Sequence, residues 1–168
     1  INTKVLSKTS SDVLDFDDAT TNTITLRARQ ARPYPPADFR VDGELIFTAN
    51  GGERAEPVFT WVHRDRVLQA DALLDHQEAS VGPEDGTTYT FRIYDSEDTL
   101  LATYDGIVGD TWTYDSTMQA ADSAPAAVRM EVESERDGLA SYQKYSFNIT
   151  LDGGYGLGYG LNYGGGTA

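Results

Sequence analysis

Residues 58–64, VFTWVHR, are the stretch from which the fold of this chain is predicted. Successive side chains of a β-strand point to opposite faces, so a strand with one buried face alternates apolar and polar residues. Phe59, Trp61 and His63 would share one face here, and the residues between them would share the other. The stretch therefore predicts a strand in which Trp61 is a core anchor.

The same alternation recurs along the chain. Runs rich in Gly, Pro, Asn and Asp separate the alternating stretches, as expected for strands joined by turns. The predicted strands are residues 23–29, 37–41, 58–64, 88–94, 99–104, 111–114, 128–133 and 144–151. Many short strands at this spacing predict an all-β fold, an antiparallel β-sandwich.

Residues 67–77, VLQADALLDHQ, have a composition that also fits a helix. Their apolar side chains do not fall on one helical face, so we predict a long strand-to-strand loop that can include one helical turn.

A proline-rich stretch, RPYPP at residues 32–36, interrupts the pattern. Proline fixes its own backbone angle and restricts the residue before it, so this stretch is stiff. We place a domain boundary there. Residues 1–31 are then the end of a preceding module or linker strands, and residues 32–151 are the sandwich.

The final segment, residues 152–168, interleaves glycine with Tyr155, Tyr159 and Tyr163. Glycine raises the entropic cost of ordering a chain, which favours a flexible end. Aromatic rings at regular spacing also suit an assembly or receptor contact. Both interpretations stay open.

The charge of the chain limits its partners. Its 168 residues include 27 acidic and 13 basic side chains, for a net charge of −14. Such a surface argues against nucleic acid and against docking on an anionic membrane. No apolar run reaches the roughly 20 residues that span a bilayer, so no membrane insertion is predicted. Cysteine is absent, and because the first residue is Ile we expect a piece or processed product of a longer protein.

Both histidines of the chain, His63 and His76, lie close together in the sequence, and His63-Arg64-Asp65 is the tripeptide that supplies the catalytic base in protein kinases. The kinase pattern also needs an Asn five residues after the Asp, where this chain has Ala70, and an Asp-Phe-Gly that the chain lacks. We therefore interpret His63 as a strand-end residue that supports a loop, and Arg64 and Arg66 as charges that pair with neighbours.

Other catalytic and metal patterns are weak. The chain has no Gly-x-Ser-x-Gly elbow, His-Glu-x-x-His or phosphate-binding Gly-x-x-x-x-Gly-Lys, so we predict no enzyme and no cofactor. Paired carboxylates of a glycan-degrading domain stay open, because many acids are present. Calcium is a further alternative, since two runs offer clustered oxygen ligands. They are Asp15, Asp17 and Asp18, and Asp95, Glu97 and Asp98.

The order of several short motifs resembles a known family. They are residues 31–41 (ARPYPPADFRV), 59–66 (FTWVHRDR), 82–94 (GPEDGTTYTFRIY), 100–114 (LLATYDGIVGDTWTY) and 128–141 (VRMEVESERDGLAS). Over residues 32–151 the chain resembles the fibronectin type III-like domain near the carboxyl end of tail-tip, or host-specificity, proteins of tailed bacteriophages and gene-transfer particles. It departs from the family pattern at residues 124–128, APAAV, where the usual corner tyrosine is missing.

The resemblance implies a virion structural protein of the phage tail, without catalytic residues. Its expected partners are other tail proteins and a host surface receptor or glycan, and by analogy the chain forms a homotrimer. The candidate contact residues are Tyr155, Tyr159, Tyr163, His63, Arg64 and Arg66. The alternative is a carbohydrate-binding module of a secreted or virion protein, suggested by 2 Trp, 10 Tyr and 6 Phe together with the Asp-rich loops.

Overall fold

A computed structural model describes residues 2–23, 28–46, 52–71 and 73–152 of the chain. The chain divides into two compact units, residues 1–31 and 32–168, so the break falls at the start of RPYPP. In the first unit β1 (Asn2–Lys4) and β2 (Thr21–Thr23) pair antiparallel. Most of the predicted strand 23–29 lies outside the described residues, and Arg29 is in a turn.

The described part of the second unit is an antiparallel β-sandwich, which confirms the predicted fold class. Its elements are β3 (Ala37–Val41), β4 (Glu44–Leu45), β5 (Glu53–Arg54), β6 (Val58–Val62), β7 (Thr88–Tyr94), β8 (Leu100–Ile107), β9 (Thr111–Thr113), α1 (Ser116–Ala121), β10 (Ala127–Arg136), β11 (Leu139–Ala140) and β12 (Tyr145–Leu151).

Two sheets form the sandwich. In one sheet the order is β4-β3-β6-β9, and in the other it is β5-β12-β10-β7-β8, with β11 paired to β10. All described pairs are antiparallel except β5 with β12. The short two-residue strands lie at the margins of the sheets and carry no alternation that a sequence pattern could reveal.

The core lies between the two sheets, where the apolar side chains of the alternating strands meet. Phe39 of β3, Phe59 of β6 and Phe91 of β7 are completely buried. Their rings lie 5.4–6.1 Å apart, in the range of favourable aromatic contacts. Full burial of each ring contributes roughly 2–3 kcal/mol of hydrophobic stabilisation. Trp61 is 3% exposed, which confirms its prediction as a core anchor.

The connection from β9 to β10 contains a helix that the sequence did not predict. Asp115 caps the start of α1 by accepting a hydrogen bond from the backbone N–H of Met118 at 2.8 Å. After the helix, Asp122 Oδ2 accepts hydrogen bonds from the hydroxyls of Tyr104 (2.7 Å) and Tyr114 (2.8 Å). Two tyrosines outside residues 124–128 thus hold this crossover.

Within the described residues, no helix has the length and apolar character needed to cross a membrane.

Candidate functional site

Three segments converge at one end of the sandwich, and we call them the loop end: residues 32–36, 63–87 and 137–144. The antiparallel register places them together, because Ala37 pairs with Val62 and Thr88 pairs with Glu135. Arg32 also donates a hydrogen bond from Nη1 to the carbonyl of Ala140 at 2.6 Å. The loop end thus joins the start of β3, the β6–β7 loop and the β10–β12 hairpin.

The β6–β7 loop is folded around the side chain of Arg64. Arg64 is 8% exposed, and each hydrogen bond that its guanidinium makes to the described residues goes to a backbone carbonyl. Nη1 reaches the carbonyls of His63 (3.0 Å) and Ala79 (2.8 Å), and Nη2 reaches those of Asp75 (2.9 Å), His76 (3.2 Å) and Glu78 (3.0 Å). Arg64 therefore braces the long loop through main-chain oxygens. The predicted pairing of its charge with a neighbouring acid is not seen among the described residues.

Asp65 organises the first turn of the same loop. Its Oδ1 accepts hydrogen bonds from the backbone N–H groups of Val67 (2.7 Å) and Leu68 (3.0 Å). Its own N–H donates to Gln69 Oε1 at 2.7 Å. Residues 66–71 form turns and not a regular helix, as predicted for this region. The carboxylate that would be the base in a kinase is thus used to shape the loop.

Glu84 links the β6–β7 loop to the end of β10. Its carboxylate is almost fully buried and accepts hydrogen bonds from Arg66 Nε at 2.9 and 2.8 Å. It also forms an ion pair with Arg136. One acid between two arginines is a partly buried network, which is worth more than an exposed pair. Arg66, a predicted contact residue, therefore has an internal structural role.

His63 connects the two sheets. Its Nδ1 lies 2.7 Å from the hydroxyl of Tyr89, and its backbone accepts from Val81 N–H at 3.1 Å and donates to Ser80 Oγ at 3.1 Å. Burial lowers the pKa of His63, and the negative charge of Asp110 opposes this only in part. Burial also raises the pKa of Tyr89 to about 12. The pair is therefore neutral near pH 7 and supports the loop, as interpreted from the sequence.

A cavity of about 390 Å³ opens between the three segments of the loop end. Its lining includes Tyr34, Pro36, Arg64, Leu73, His76 and Tyr145. This volume is near the lower limit for small-molecule sites. We call this cavity the loop-end pocket.

The aromatic part of the pocket continues from the core. The ring of Tyr145 stacks on buried Phe39 with centroids 5.2 Å apart, and the His76 ring lies 6.3 Å from that of Tyr145. Burial raises the pKa of Tyr145 to about 12, so its hydroxyl keeps its proton at neutral pH. Among the pocket residues, sequence analysis had singled out Arg64, His76 and the RPYPP stretch. Tyr145 could have been noticed as an aromatic residue at the start of a predicted strand.

The remaining candidates add no further site in the part of the chain that the structure describes. Tyr155, Tyr159 and Tyr163 lie outside the described residues. No group of three or more His, Asp or Glu side chains suited to hold a metal ion occurs in the described ranges, so the proposed calcium runs do not form one there. Asp95 Oδ1 instead accepts from the backbone N–H groups of Glu97 and Thr99, each at 2.8 Å.

No protein-family model matches this chain, and no curated protein matches it either.

Proposed function

We propose that this chain is a non-enzymatic structural and recognition domain of a phage tail tip or tail fibre. In this role it contributes to tail assembly and to attachment of the virion to the host surface through the loop end. Its proposed partners are other tail proteins and a host receptor or glycan, and a homotrimer is part of the proposal.

The strand order supports a fibronectin type III-like sandwich. Strands β3, β6 and β9 are neighbours in one sheet, and β8, β7, β10 and β12 follow one another in the other. This order means that the chain changes sheets between β6 and β7 and returns for β9, as in sandwiches of the immunoglobulin and fibronectin type. The loops that such domains use for recognition cluster at the ends of the sandwich.

The observation that carries the recognition role is the internal fixation of the loop end. Arg64 holds five backbone carbonyls, and Glu84 joins Arg66 to Arg136. A loop that is already ordered loses less conformational entropy when it binds a partner. The carboxylates of Asp65 and Glu84 are both occupied by these internal contacts, which supports binding rather than acid–base catalysis.

Electron microscopy of purified tailed particles tests whether the chain is located at the tail tip or tail fibre. An antibody raised against the full chain should label the distal end of the tail, and pre-immune serum should not. Label on the capsid, or none on particles that contain the chain by immunoblot, contradicts the proposal.

Incubation of the isolated chain with host polysaccharide should release no reducing sugar, and release would contradict the non-enzymatic role.

The second candidate is a carbohydrate-binding module, which the ring-lined loop-end pocket favours. Most of the described aromatic rings point into the core, which counts against a broad sugar-binding face. Tyr34, however, is 46% exposed and lines the pocket. The two candidates differ in location, so a chain found in the secreted fraction and absent from particles would favour the second.

A further inference from the structure

The loop-end pocket presents ring surfaces that are held in place. Tyr145 is fixed by stacking on Phe39, and its ring contacts His76 across the pocket. Tyr34 follows Pro33 and precedes Pro35, so its backbone has restricted freedom. Fixed aromatic surfaces offer contact area at low cost in side-chain entropy. They suit a ligand with a flat face of C–H groups.

The polar side chains that line the pocket can donate or accept hydrogen bonds, and no Asp or Glu is among the described lining residues. Gln143 is exposed and brings an amide, and His76 brings an imidazole. Gln69 uses its Oε1 to accept from Asp65 N–H, which fixes its amide and leaves the NH₂ group as a donor. Groups that both donate and accept match hydroxyls, which do the same.

The electrostatics disfavour an anionic ligand. The positive charge of Arg64 is surrounded by carbonyl oxygens, and the loop that it holds carries Asp75 and Glu78. The chain as a whole has a net charge of −14. A negatively charged molecule would therefore approach against a repulsive field.

We propose that the loop-end pocket binds an uncharged pyranose unit of a surface polysaccharide. The C–H face of the sugar packs on the rings of Tyr34 and Tyr145, and its hydroxyls bond to Gln143, His76 and Gln69. The cavity volume of about 390 Å³ is large enough for one or two sugar rings. This inference rests on the proposed role of the loop end in attachment and names the ligand class of that site.

Saturation-transfer NMR with the full chain tests the proposal. The probes are uncharged gluco-, galacto-, manno- and N-acetylhexosamine disaccharides at millimolar concentration. Comparators are disaccharides with glucuronic or sialic acid and a proline-rich peptide. We expect transfer to at least one uncharged sugar and none to the comparators. Absence of transfer to every uncharged sugar overturns the proposal, as does stronger transfer to an acidic sugar or to the peptide.

Two variants locate the binding. Tyr34→Ala and Gln143→Ala change exposed side chains, so the chain should keep its fold, which its thermal unfolding can check. Each should weaken sugar binding by about tenfold, the scale of one aromatic or hydrogen-bond contact. Tyr142→Ala is the matched control, because Tyr142 is 53% exposed on the same hairpin but does not line the pocket. Equal binding by all three variants would overturn the assignment to this pocket.

The particle-labelling experiment separates this proposal from the proposed function. If the antibody labels the tail end but the chain binds no sugar, the proposed tail role is supported and only the proposed ligand is contradicted. If the chain binds sugar but is absent from particles, the proposed ligand of the pocket is supported and the proposed tail role is contradicted.

Discussion

The hydroxyl of Tyr89 and the imidazole Nδ1 of His63 lie 2.7 Å apart, and this contact joins the end of β6 in one sheet to β7 in the other. Both side chains are buried. A histidine from the tripeptide that resembles a catalytic motif therefore links the two layers of the sandwich at the base of its longest described loop.

The lowered pKa of His63 predicts a loss of stability in mild acid. Below its ordinary pKa of 6.5 the unfolded chain takes up a proton at His63 that the folded chain does not. The free energy of unfolding should therefore fall as the pH decreases from 7.5 to about 5.5, a range above the titration of most carboxylates. Urea unfolding at several pH values measures this.

His63→Asn should flatten this pH dependence, because the amide keeps a hydrogen-bonding group near Tyr89 without titrating. The described groups that act on His63 are Tyr89 and Asp110. Tyr89 keeps its proton in this range, because burial raises its pKa to about 12. His76→Asn is the matched control, since it replaces the other histidine of the chain, which is exposed. A flatter slope in the His63 variant alone assigns the effect to His63. An unchanged slope in the His63 variant would show that another group is responsible.

Replacing Arg64 with Lys should loosen the β6–β7 loop. Lysine has three donors at one point and cannot reach the five carbonyls that the planar guanidinium serves. We expect faster hydrogen exchange across residues 75–81 and a loss of about 2–3 kcal/mol in stability. Arg40→Lys alters a bidentate pair with Asp38 outside this loop, so it should leave the hydrogen exchange of residues 75–81 unchanged. Equal exchange in both variants would contradict the bracing role.

Glu84→Gln should destabilise the loop end by leaving Arg66 and Arg136 without their shared carboxylate. Removal of one partner from a buried charge network costs about 3 kcal/mol, and partial exposure of the two arginines reduces this to about 2 kcal/mol. Glu44→Gln is the matched control, because Glu44 is mostly exposed in its pair with Arg54. Its cost should be under about 0.5 kcal/mol. Chemical denaturation compares the two.

Asp122→Asn should weaken the β9–β10 crossover. Burial and the hydrogen bonds to Asp122 raise the pKa of both Tyr104 and Tyr114, so both phenols donate to this carboxylate at neutral pH. Loss of the charge should cost about 1–2 kcal/mol. Asp105→Asn, an exposed aspartate of β8, should leave stability unchanged. If the two variants are equally stable, the tyrosine contacts do not hold the crossover.

The strands of the core could be predicted because burial on one face leaves a regular pattern in the sequence. The bounds of β3 and β7 agree with the predicted residues 37–41 and 88–94. Other strands differ at their ends: β8 and β10 continue beyond the predicted 99–104 and 128–133. Their extensions carry Gly106 or charged residues, and pairing with the neighbouring strand, not alternation, keeps them in the sheet.

The helix and the loop end could be predicted only in part. Helix α1 has six residues, too few for a periodic pattern, and it depends on its Asp115 cap and on Gln119, whose Nε2 bonds to the carbonyls of Ala55 and Tyr114. The sequence analysis predicted that the charge of Arg64 pairs with a neighbour, whereas in the structure Arg64 braces the loop through backbone carbonyls. These partners could not be identified from the sequence, because backbone carbonyls are present at every residue and leave no mark on it.

The use of backbone carbonyls as the partners of Arg64 affects how the sequence of the loop can vary. Since Arg64 holds main-chain oxygens of residues 75, 76, 78 and 79, any amino acid that tolerates the same backbone can stand at these positions without loss of the bond. The bonds of Arg64 thus constrain the course of the loop without specifying its side chains, in contrast to the bonds that the carboxylates of Asp75 and Glu78 accept from the loop backbone. A single buried arginine would thus let the surface side chains of the loop, and with them its binding specificity, evolve while the shape that Arg64 imposes is retained.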